Sequence, residues 1–298
     1  MPELPETETI ARDLDAALAQ GAGAVLAGAR VPRPSVLREG DADSLDTGVR
    51  HARVRRVWRR AKLVVLDLAD GPGDRAREGD AGDGVSAHLV VQPRFTGALL
   101  LEDAPGDGRH LPERERGFVR VTIPLADGRA LHYRDIRALG TVALMTPARF
   151  AAYAGALGPE PLDPAFTARA LRTALRGSRQ PVKKVLMDQR RLVGVGNIYA
   201  NEALWRARVA PARGADTLTP REVGRVRDAL VDVLTESIAN RGTSFRDYVD
   251  ARGGRGTFVE RLAVYGRAGA PCPRCARALD ATHDVDGRQT VFCARCQR

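Results

Sequence analysis

The 298-residue sequence lacks any apolar run near the roughly 20 residues that a helix needs to cross a bilayer. Its acidic beginning also lacks the basic and then apolar order of a signal peptide. These absences argue against a membrane partner and predict a cytoplasmic protein. Only four cysteines are present, all in the last 27 residues, and in a reducing compartment such a group favours a metal site over disulfides.

Positive charge is what the chain has in excess. It contains 47 Lys+Arg against 37 Asp+Glu, a net charge of +10, with an isoelectric point near 10.1. Such a balance points to a polyanionic partner, and nucleic acid is the first candidate. The length is sufficient for a large core divided between domains.

The first half has the pattern of one helix followed by short strands. Ile10, Leu14 and Leu18 share one face of Thr7 to Gln20, which predicts an amphipathic helix. Seven β-type runs follow at a spacing that predicts a β-sandwich or barrel rather than βαβ units. The runs are Ala52–Trp58, Leu63–Leu68, His88–Gln92, Gly97–Leu101, Phe118–Ile123, Ala130–Tyr133 and Thr141–Met145. Gly71 to Gly84, with five glycines, is predicted to be a disordered hairpin insertion.

After Pro147 the pattern becomes helical. Asp163-Pro164 is predicted to start one helix, and Thr219 to Glu222 forms a capping box for another that ends at Gly242. Two further helices are predicted, Val182–Asp188 and Ile198–Leu204, joined by a glycine turn. Backbone N–H groups in such a turn can bind a phosphate, although a Gly-x-Gly turn is also common for packing alone.

The first six residues suggest chemistry. If Met1 is removed, Pro2 presents a secondary α-amine whose pKa is low enough for nucleophilic attack near neutral pH. Its condensation with an aldehyde gives a cationic iminium, an electron sink for elimination at the next carbon. Glu3 could then move protons, and Glu6, one helical turn on, could orient it. The alternative is an ordinary proline-rich helix start.

The segment from His51 to Lys62 is strongly basic and contains no acid. Because side chains alternate along a strand, the arginines would lie on a face different from that of the buried valines and would make it basic. The alternative is that this run of charges is only a solvent-exposed face without a binding role. Lys62 opens the next apolar strand, where its ammonium can hold a phosphate or a carboxylate.

The cysteines have the spacing of a structural metal site. Cys272-x-x-Cys275 and Cys293-x-x-Cys296 lie 17 residues apart, which predicts one tetrahedral Zn²⁺ bound by four thiolates. No position is left for water, so the zinc should fold a β-hairpin and take no part in the reaction. Arg288 would lie on that hairpin, either solvated or reaching toward a DNA groove.

These features together resemble the formamidopyrimidine-DNA glycosylase family over nearly the whole chain. The motifs that carry the resemblance are Pro2-Glu3-Leu4-Pro5-Glu6, Arg59-Arg60-Ala61-Lys62, Leu157-Gly158-Pro159-Glu160-Pro161-Leu162, Leu186-Met187-Asp188, Val193 to Asn201, Val264-Tyr265-Gly266-Arg267 and the four cysteines.

The resemblance implies an α+β multidomain fold. Residues 1–146 are expected to form an N-terminal β-sandwich domain with its helix. Residues 147–262 are expected to form a helix-two-turn-helix DNA-binding domain, which includes a loop from Gly242 to Leu262 that covers the lesion. Residues 263–298 are expected to form a β-hairpin zinc finger with four cysteine ligands. A monomer is expected to hold double-stranded DNA with damaged bases or abasic sites between its halves.

The same resemblance implies residue roles. Pro2 is expected to attack C1′ of the damaged nucleotide and Glu3 to act as general acid, so that base excision is followed by β,δ-elimination. Four other residues are expected to hold phosphates; they are Lys62, which is counted with the catalytic residues, and Lys183, Asn197 and Arg288. Glu6 is also expected to be one of the DNA-binding residues.

The sequence departs from the family where side chains fill the gap left by the flipped nucleotide. The family places a methionine, an arginine and a phenylalanine there, whereas this chain has Phe95, Arg137 and Leu139. An aromatic and an aliphatic wedge have exchanged places. Catalysis should survive, and the preference for the opposite base becomes the open question.

Three functions fit the sequence. The first is a glycosylase and lyase for oxidised purines. The second is an endonuclease VIII type enzyme for oxidised pyrimidines, a branch that more often has glycine where Leu4 stands. The third is a zinc-ribbon DNA-binding protein without activity, which would need no free Pro2 amine.

Overall fold

The computed structural model describes residues 2–70, 84–106, 111 and 113–298. The chain divides into two compact units, Met1–Ala154 with Arg241–Gly256 and Gly155–Asn240 with Thr257–Arg298. The boundaries expected at 146 and 262 stay predictions, but the structure groups Arg241–Gly256 with the N-terminal unit. Apart from Gly84, the predicted hairpin insertion lies outside the described residues.

The elements of the first part of the chain are the predicted helix and seven strands in the predicted order, with two short helices among them that were not predicted and the first helix after Pro147. They are α1 (Leu4–Leu18), α2 (Ala42–Val49), β1 (Arg53–Arg60), β2 (Leu63–Ala69), β3 (Ala87–Gln92), β4 (Gly97–Glu102), α3 (Glu113–Arg116), β5 (Val119–Pro124), β6 (Ala130–Asp135), β7 (Thr141–Met145) and α4 (Pro147–Gly155). All seven predicted strands are therefore confirmed, with ends that move by at most two residues.

Helix α1 begins three residues before the predicted start at Thr7. Pro5 suits the first turn because its missing N–H would have no partner there. The Glu6 carboxylate accepts the Glu3 backbone N–H at 2.8 Å, which satisfies another donor at the helix start. Ile10 and Leu14 are fully buried and fix the helix to the core.

The strands form two antiparallel sheets of order β1-β2-β3-β7 and β4-β6-β5. One buried cluster takes side chains from both sheets and from α1; it includes Leu14, Val54, Leu66, Leu89, Leu99, Ile123 and Tyr133. The predicted β-sandwich with an N-terminal helix is therefore confirmed.

Strand β1 does not follow simple alternation. Its register with β2 shifts between Val54 and Arg56, so both Val54 and Val57 are buried although they are three residues apart. A bulge of this kind holds one extra residue, here Arg55, which is exposed. Arg59, expected on the basic face, has a side chain that is only 7% exposed.

The second unit is mainly helical. Its elements are α5 (Ala168–Leu175), α6 (Val182–Leu186), α7 (Asn197–Ala207), α8 (Pro220–Ala239), β8 (Asp280–Thr282) and β9 (Thr290–Phe292). The capping box of α8 is confirmed, because Glu222 accepts the Thr219 N–H at 2.9 Å and Thr219 Oγ1 accepts the Glu222 N–H.

The predicted helix start at Asp163-Pro164 is wrong. Asp163 Oδ1 accepts the Ala165 N–H two residues on, at 2.8 Å, which makes a turn rather than a cap. The helix begins at Ala168 instead, where the hydroxyl of Thr167 accepts the Ala170 N–H. Within the described ranges, no helix is long and apolar enough to cross a membrane.

Candidate active site and nucleic-acid interface

The predicted catalytic residues lie at the buried start of α1. Pro2, Glu3 and Glu6 are all buried, and neither Glu3 nor Glu6 has measurable exposure. Glu3 is the N-cap residue, in an extended conformation, so its side chain leaves the chain before the first helical turn. The helix start thus brings a proline and two carboxylates together away from solvent.

Glu6 connects this helix start to a distant stretch of chain. One of its oxygens accepts the Glu3 N–H, and the other accepts the Thr243 N–H at 2.8 Å. Gly242 has a φ of +81°, and a Cβ on it would lie 3.0 Å from Glu6 Cγ and Oε1. Only glycine combines that backbone conformation with so close an approach to Glu6.

Residues Arg241–Gly256 form a closed loop in the first unit. A Cβ on Gly256 would lie 2.4 Å from the Arg241 carbonyl oxygen, so the two ends of the loop are adjacent. Arg241 donates to Asp250, from within the loop, and to Asp13 of α1 at 2.6 Å. These two carboxylates, with the hydrogen bonds that Arg241 donates to them, raise the pKa of the Arg241 guanidinium against the opposing effect of burial. The loop is therefore fixed at its base.

The structure brings the interior of this loop close to the β4-β6-β5 sheet. Leu101 donates its N–H to the Ala251 carbonyl at 2.8 Å, and Arg134 donates to the Asp247 carbonyl at 3.1 Å. In contrast to these residues of the loop that contact the sheet, the Phe245 side chain is 44% exposed to solvent. The loop predicted from Gly242 to Leu262 overlaps this one, but its anchors Arg241 and Asp250, an opposite-charge pair, were not identified from the sequence.

Lys62 lies in the two-residue turn between β1 and β2. Ala61, beside it, has a φ of +56°, and its carbonyl accepts from Arg59 at 3.0 Å. Arg59 also donates to Glu8 at 2.8 Å. Burial alone would raise the pKa of the Glu8 carboxyl, but the Arg59 charge and the hydrogen bonds from Arg12 and Arg59 lower it. The arginines here hold the turn that presents Lys62.

Two loops carry the predicted wedge residues. Phe95 follows β3 and Leu139 follows β6, and at 40% and 41% exposure they are two of the most exposed large apolar side chains that the structure describes. The Arg137 guanidinium carbon lies 5.2 Å from the centre of the Phe95 ring, within the range of a cation–π contact. The structure thus brings Phe95 and Arg137 together.

A buried carboxylate, Asp135, holds both wedge loops. It accepts the Thr96 hydroxyl at 2.5 Å and the N–H groups of Arg137 and Gly140 at 3.2 and 2.8 Å. Tyr133 donates its hydroxyl to the same carboxylate, and burial together with that negative charge raises the pKa of Tyr133 well above its usual value. This role of Asp135 was not identified from the sequence.

The predicted phosphate contacts of the second unit meet at the β8-β9 hairpin. Lys183 is fully buried, and its Nζ donates to Thr290 Oγ1 at 2.7 Å and lies 3.2 Å from Asp286 Oδ1. Asn197, the first residue of α7, donates to the Gln289 carbonyl at 3.1 Å. Arg288 is exposed between these positions. A phosphate at Lys183 would have to replace its present bonds, so that role stays a prediction.

A second buried carboxylate, Glu202 of α7, was not identified from the sequence. It accepts the backbone N–H groups of Ala263, Val264 and Tyr265 at 2.8 to 2.9 Å, where the chain leaves the helices for the cysteine region. Burial raises the pKa of Glu202 despite these three hydrogen bonds. An acidic residue on the apolar side of a helix was the available signal.

The four cysteines converge around the β8-β9 hairpin. The sulfur atoms of Cys272, Cys275, Cys293 and Cys296 all lie within 4.8 Å of one another, and such a group could hold a metal ion. Burial opposes ionisation at Cys272, Cys293 and Cys296. At Cys272, the N–H groups of Arg274 and Cys275 outweigh burial and lower the pKa to about 6, whereas burial and the other sulfurs raise the pKa of Cys296 to about 12. Four adjacent thiolates need a cation, so this donor set fits a metal.

Comparison with known proteins decides the relationship. The model of the formamidopyrimidine-DNA glycosylase N-terminal domain matches residues 1–142, and that of the formamidopyrimidine-DNA glycosylase H2TH domain matches residues 157–249. A curated formamidopyrimidine-DNA glycosylase from Thermomicrobium roseum is 42% identical over 100% of this chain and 99% of its own length.

The chain belongs to the formamidopyrimidine-DNA glycosylase family.

Solved structures of family members share its fold. The MutM (Fpg) protein of Thermus thermophilus is 34% identical, with a TM-score of 0.79 over 99% of this chain and 98% of its own. The Lactococcus lactis Fpg, solved with DNA containing N7-benzyl-Fapy-dG, is 27% identical, with a TM-score of 0.83 over 100% of both chains. The resemblance inferred from sequence motifs is therefore confirmed, while the individual residue roles stay predictions.

Proposed function

We propose that this chain is a bifunctional formamidopyrimidine-DNA glycosylase and abasic-site lyase with Pro2 as its nucleophile. The chain is a DNA repair enzyme that removes oxidised purines, and its partner is DNA with damaged bases or abasic sites. The observation that supports the finer mechanism is the buried helix start, where Pro2 and Glu3 adjoin Glu6 in a chain that matches the family from end to end.

The proposed reaction begins after removal of Met1. The Pro2 nitrogen forms a bond to C1′ of the flipped nucleotide, the glycosidic bond breaks, and the damaged base takes the proton that the Pro2 nitrogen loses. Opening of the sugar ring then gives an iminium between Pro2 and C1′, for which Glu3 supplies the proton that O4′ requires. Loss of a C2′ proton then expels the 3′ phosphate, and loss of a C4′ proton expels the 5′ phosphate, each leaving as an anion with the electron pair of its broken C–O bond.

The residues around Pro2 and Glu3 would hold them in position. Glu6 fixes the backbone of Glu3 and of Thr243 with one carboxylate, so helix α1 and the closed loop are oriented by a single group. A misplacement of about 1 Å at a reacting centre can cost roughly a hundredfold in rate. The role proposed for Glu6 is therefore positioning rather than contact with the reacting atoms.

The DNA contacts are proposed from charge and exposure. Lys62 at its hairpin turn, and Asn197 and Arg288 at the β8-β9 hairpin, would bind phosphates, and Lys183 would do so by exchanging its bond to Thr290. The exposed wedge of Phe95, Arg137 and Leu139 would fill the space left by the extruded nucleotide.

The metal is proposed to be one structural Zn²⁺. Four sulfur donors within 4.8 Å suit zinc, and a full set of thiolates leaves no position for a reacting water. The ion would stabilise the hairpin that carries Arg288 and take no part in the reaction. We also propose that the enzyme works as a monomer in the bacterial cytoplasm.

Covalent trapping tests the proposal. Protein without Met1, mixed with a duplex containing one abasic or 8-oxoguanine site and a borohydride reductant, should form a stable adduct because the reductant converts the iminium to an amine. Pro2→Gly should retain part of the trapping, and Glu3→Gln should lose base excision while keeping some abasic-site cleavage.

Protein that retains Met1 is the matched control and should not be trapped, because its proline nitrogen is an amide. Absence of an adduct with Met1-free protein would refute Pro2 as the nucleophile.

A further inference from the structure

A basic cavity of about 590 Å³ lies in the second unit, formed by α5 and the segment before α8. Its volume is in the range of small ligand sites, which is about 300 to 1,000 Å³. The residues proposed above for catalysis and DNA contact are not among those that line it.

Three arginines of α5 and its C-terminal end line this cavity. Arg169, Arg172 and Arg176 are spaced by three and four residues, so they lie on one face of the helix. Among the residues that the structure describes, none of the three forms an ion pair with an acid; Asp216 is the single acid in the lining. The cavity therefore carries excess positive charge.

The helix itself does not account for these charges. A cation near the end of a helix is favourable, which could explain Arg172 and Arg176. Arg169 lies in the first turn, where the helix dipole disfavours a cation and where α5 has no acid to offset it. Its position is better explained by a ligand with negative charge.

The rest of the lining indicates which kind of anion. The interior side is apolar and buried, formed by Leu175, Leu218 and Val223. A duplex backbone offers phosphates and compact sugars but no aliphatic side chain that could extend into such a surface. No aromatic side chain is among the lining residues to stack on a nucleotide base. A peptide that alternates carboxylates with aliphatic side chains satisfies both the arginines and the apolar side.

We propose that this cavity binds a short acidic peptide segment, with aliphatic side chains, from a partner protein. Arginine clusters commonly recognise acidic motifs because each guanidinium can bind a carboxylate through two parallel hydrogen bonds. The glycosylase would thereby be recruited through a surface separate from the residues assigned to DNA.

The test uses fluorescence anisotropy with a labelled hexapeptide of three aspartates alternating with three leucines. The full-length protein should bind it in a saturable manner, and the same peptide with asparagines in place of aspartates should bind at least about tenfold more weakly. R172E/R176E should weaken binding of the acidic peptide by at least about tenfold.

Two further variants keep the test independent of folding and net charge. R33E/R38E makes the same charge change at exposed arginines outside the cavity and should leave binding within about twofold of wild type. R172Q/R176Q removes the charges without introducing acids and should give an intermediate loss. Thermal melting and excision of 8-oxoguanine should be alike in all variants.

Equal peptide binding by R172E/R176E and R33E/R38E would overturn the proposal, as would wild-type binding by R172Q/R176Q. Displacement of the peptide by a short undamaged duplex, or a larger loss of duplex affinity in R172E/R176E than in R33E/R38E, would make DNA the occupant instead. All of these results are measurements of binding, so they do not depend on whether Pro2 is the nucleophile.

Discussion

Helices α1 and α8 begin with the same local arrangement and use it differently. In each, a glutamate in the first turn accepts the N–H of the N-cap residue, Glu6 from Glu3 at 2.8 Å and Glu222 from Thr219 at 2.9 Å. At α8 the other oxygen pairs with Arg213 near the surface, at 2.6 Å. At α1 it accepts a backbone N–H from a segment 237 residues away, inside the protein.

The difference shows how burial changes what a capping glutamate does. An exposed cap stabilises one helix end by about 0.5 to 2 kcal/mol. A buried carboxylate that accepts two N–H groups cannot lose either one without leaving a polar group unsatisfied. The α1 cap therefore fixes the geometry of the proposed active site, whereas the α8 cap affects stability alone.

The largest effect is expected from matched glutamine variants at the two caps. In Glu6→Gln, the side-chain NH2 group faces one of the two backbone N–H groups and cannot accept its hydrogen bond. Loss of a hydrogen bond to a charged group costs about 1.5 to 3 kcal/mol. If all of it appears in the transition state, single-turnover excision of 8-oxoguanine should slow by roughly 10- to 150-fold. Glu222→Gln should cut at the wild-type rate. Similar rates for the two variants would contradict the distinction between the caps.

The closed loop gives the next test. Gly242→Ala places a Cβ in the left-handed backbone conformation, which costs about 1 to 2 kcal/mol. The new Cβ would also press against Glu6. Excision should fall by about tenfold, as measured in single turnover. Gly253→Ala is the control, because Gly253 has a φ of +80° but a Cβ there would meet open space. It should cost similar thermal stability and leave excision unchanged. Equal slowing by both variants would mean that backbone strain alone, and not contact with Glu6, matters.

The wedge should affect selectivity more than chemistry. Arg137 is a donor-only side chain that pairs well with cytosine and poorly with adenine, so roughly a 10- to 100-fold preference for 8-oxoguanine opposite cytosine is expected. Arg137→Ala should remove most of it while abasic-site cleavage continues. Single-turnover cutting opposite each base, beside a thymine glycol duplex, measures this.

Equal rates opposite cytosine and adenine in the wild type would refute the role of Arg137. Faster cutting of thymine glycol than of 8-oxoguanine would instead assign the enzyme to oxidised pyrimidines.

The smallest effect is expected at the exposed cap and should depend on pH. The hydrogen bond from Arg213 lowers the pKa of Glu222 to about 2. A lowered folded-state pKa stabilises the protein above the ordinary value of about 4.5, and that stability is lost as the pH falls toward 2. Glu222→Gln should lower the melting temperature by about 1 to 3 °C at pH 7. The difference in melting temperature between the wild type and Glu222→Gln should disappear below pH 4. A difference that stays constant with pH would exclude ionisation of Glu222 as its cause.

The two caps also show what could be predicted from the sequence. The α8 cap was predicted because Thr219 and Glu222 have the residue types and spacing of a capping box. The α1 cap was missed because its N-cap is Glu3, a residue type that the pattern does not include. The strands and the cysteine cluster were predictable, since local alternation and spacing determine them.

Contacts between distant segments were not predictable. Nothing in the local sequence indicates that Asp135 accepts the hydroxyl of Thr96, 39 residues away, or that Glu202 accepts three N–H groups from residues 263–265. The same holds for Arg241, whose partner Asp13 is 228 residues away. Such groups are recognised only when the fold brings their partners together.

The long separation between Glu6 and Thr243 has a consequence for synthesis on the ribosome. At about 5 to 20 residues per second, roughly 12 to 47 s pass between translation of these two residues. Throughout that time the nascent chain carries Pro2 and Glu3 without the Thr243 N–H that Glu6 will bind. The proposed active site is therefore among the last parts of the first unit to be assembled, and a prematurely terminated chain would hold the proposed nucleophile but not its complete setting.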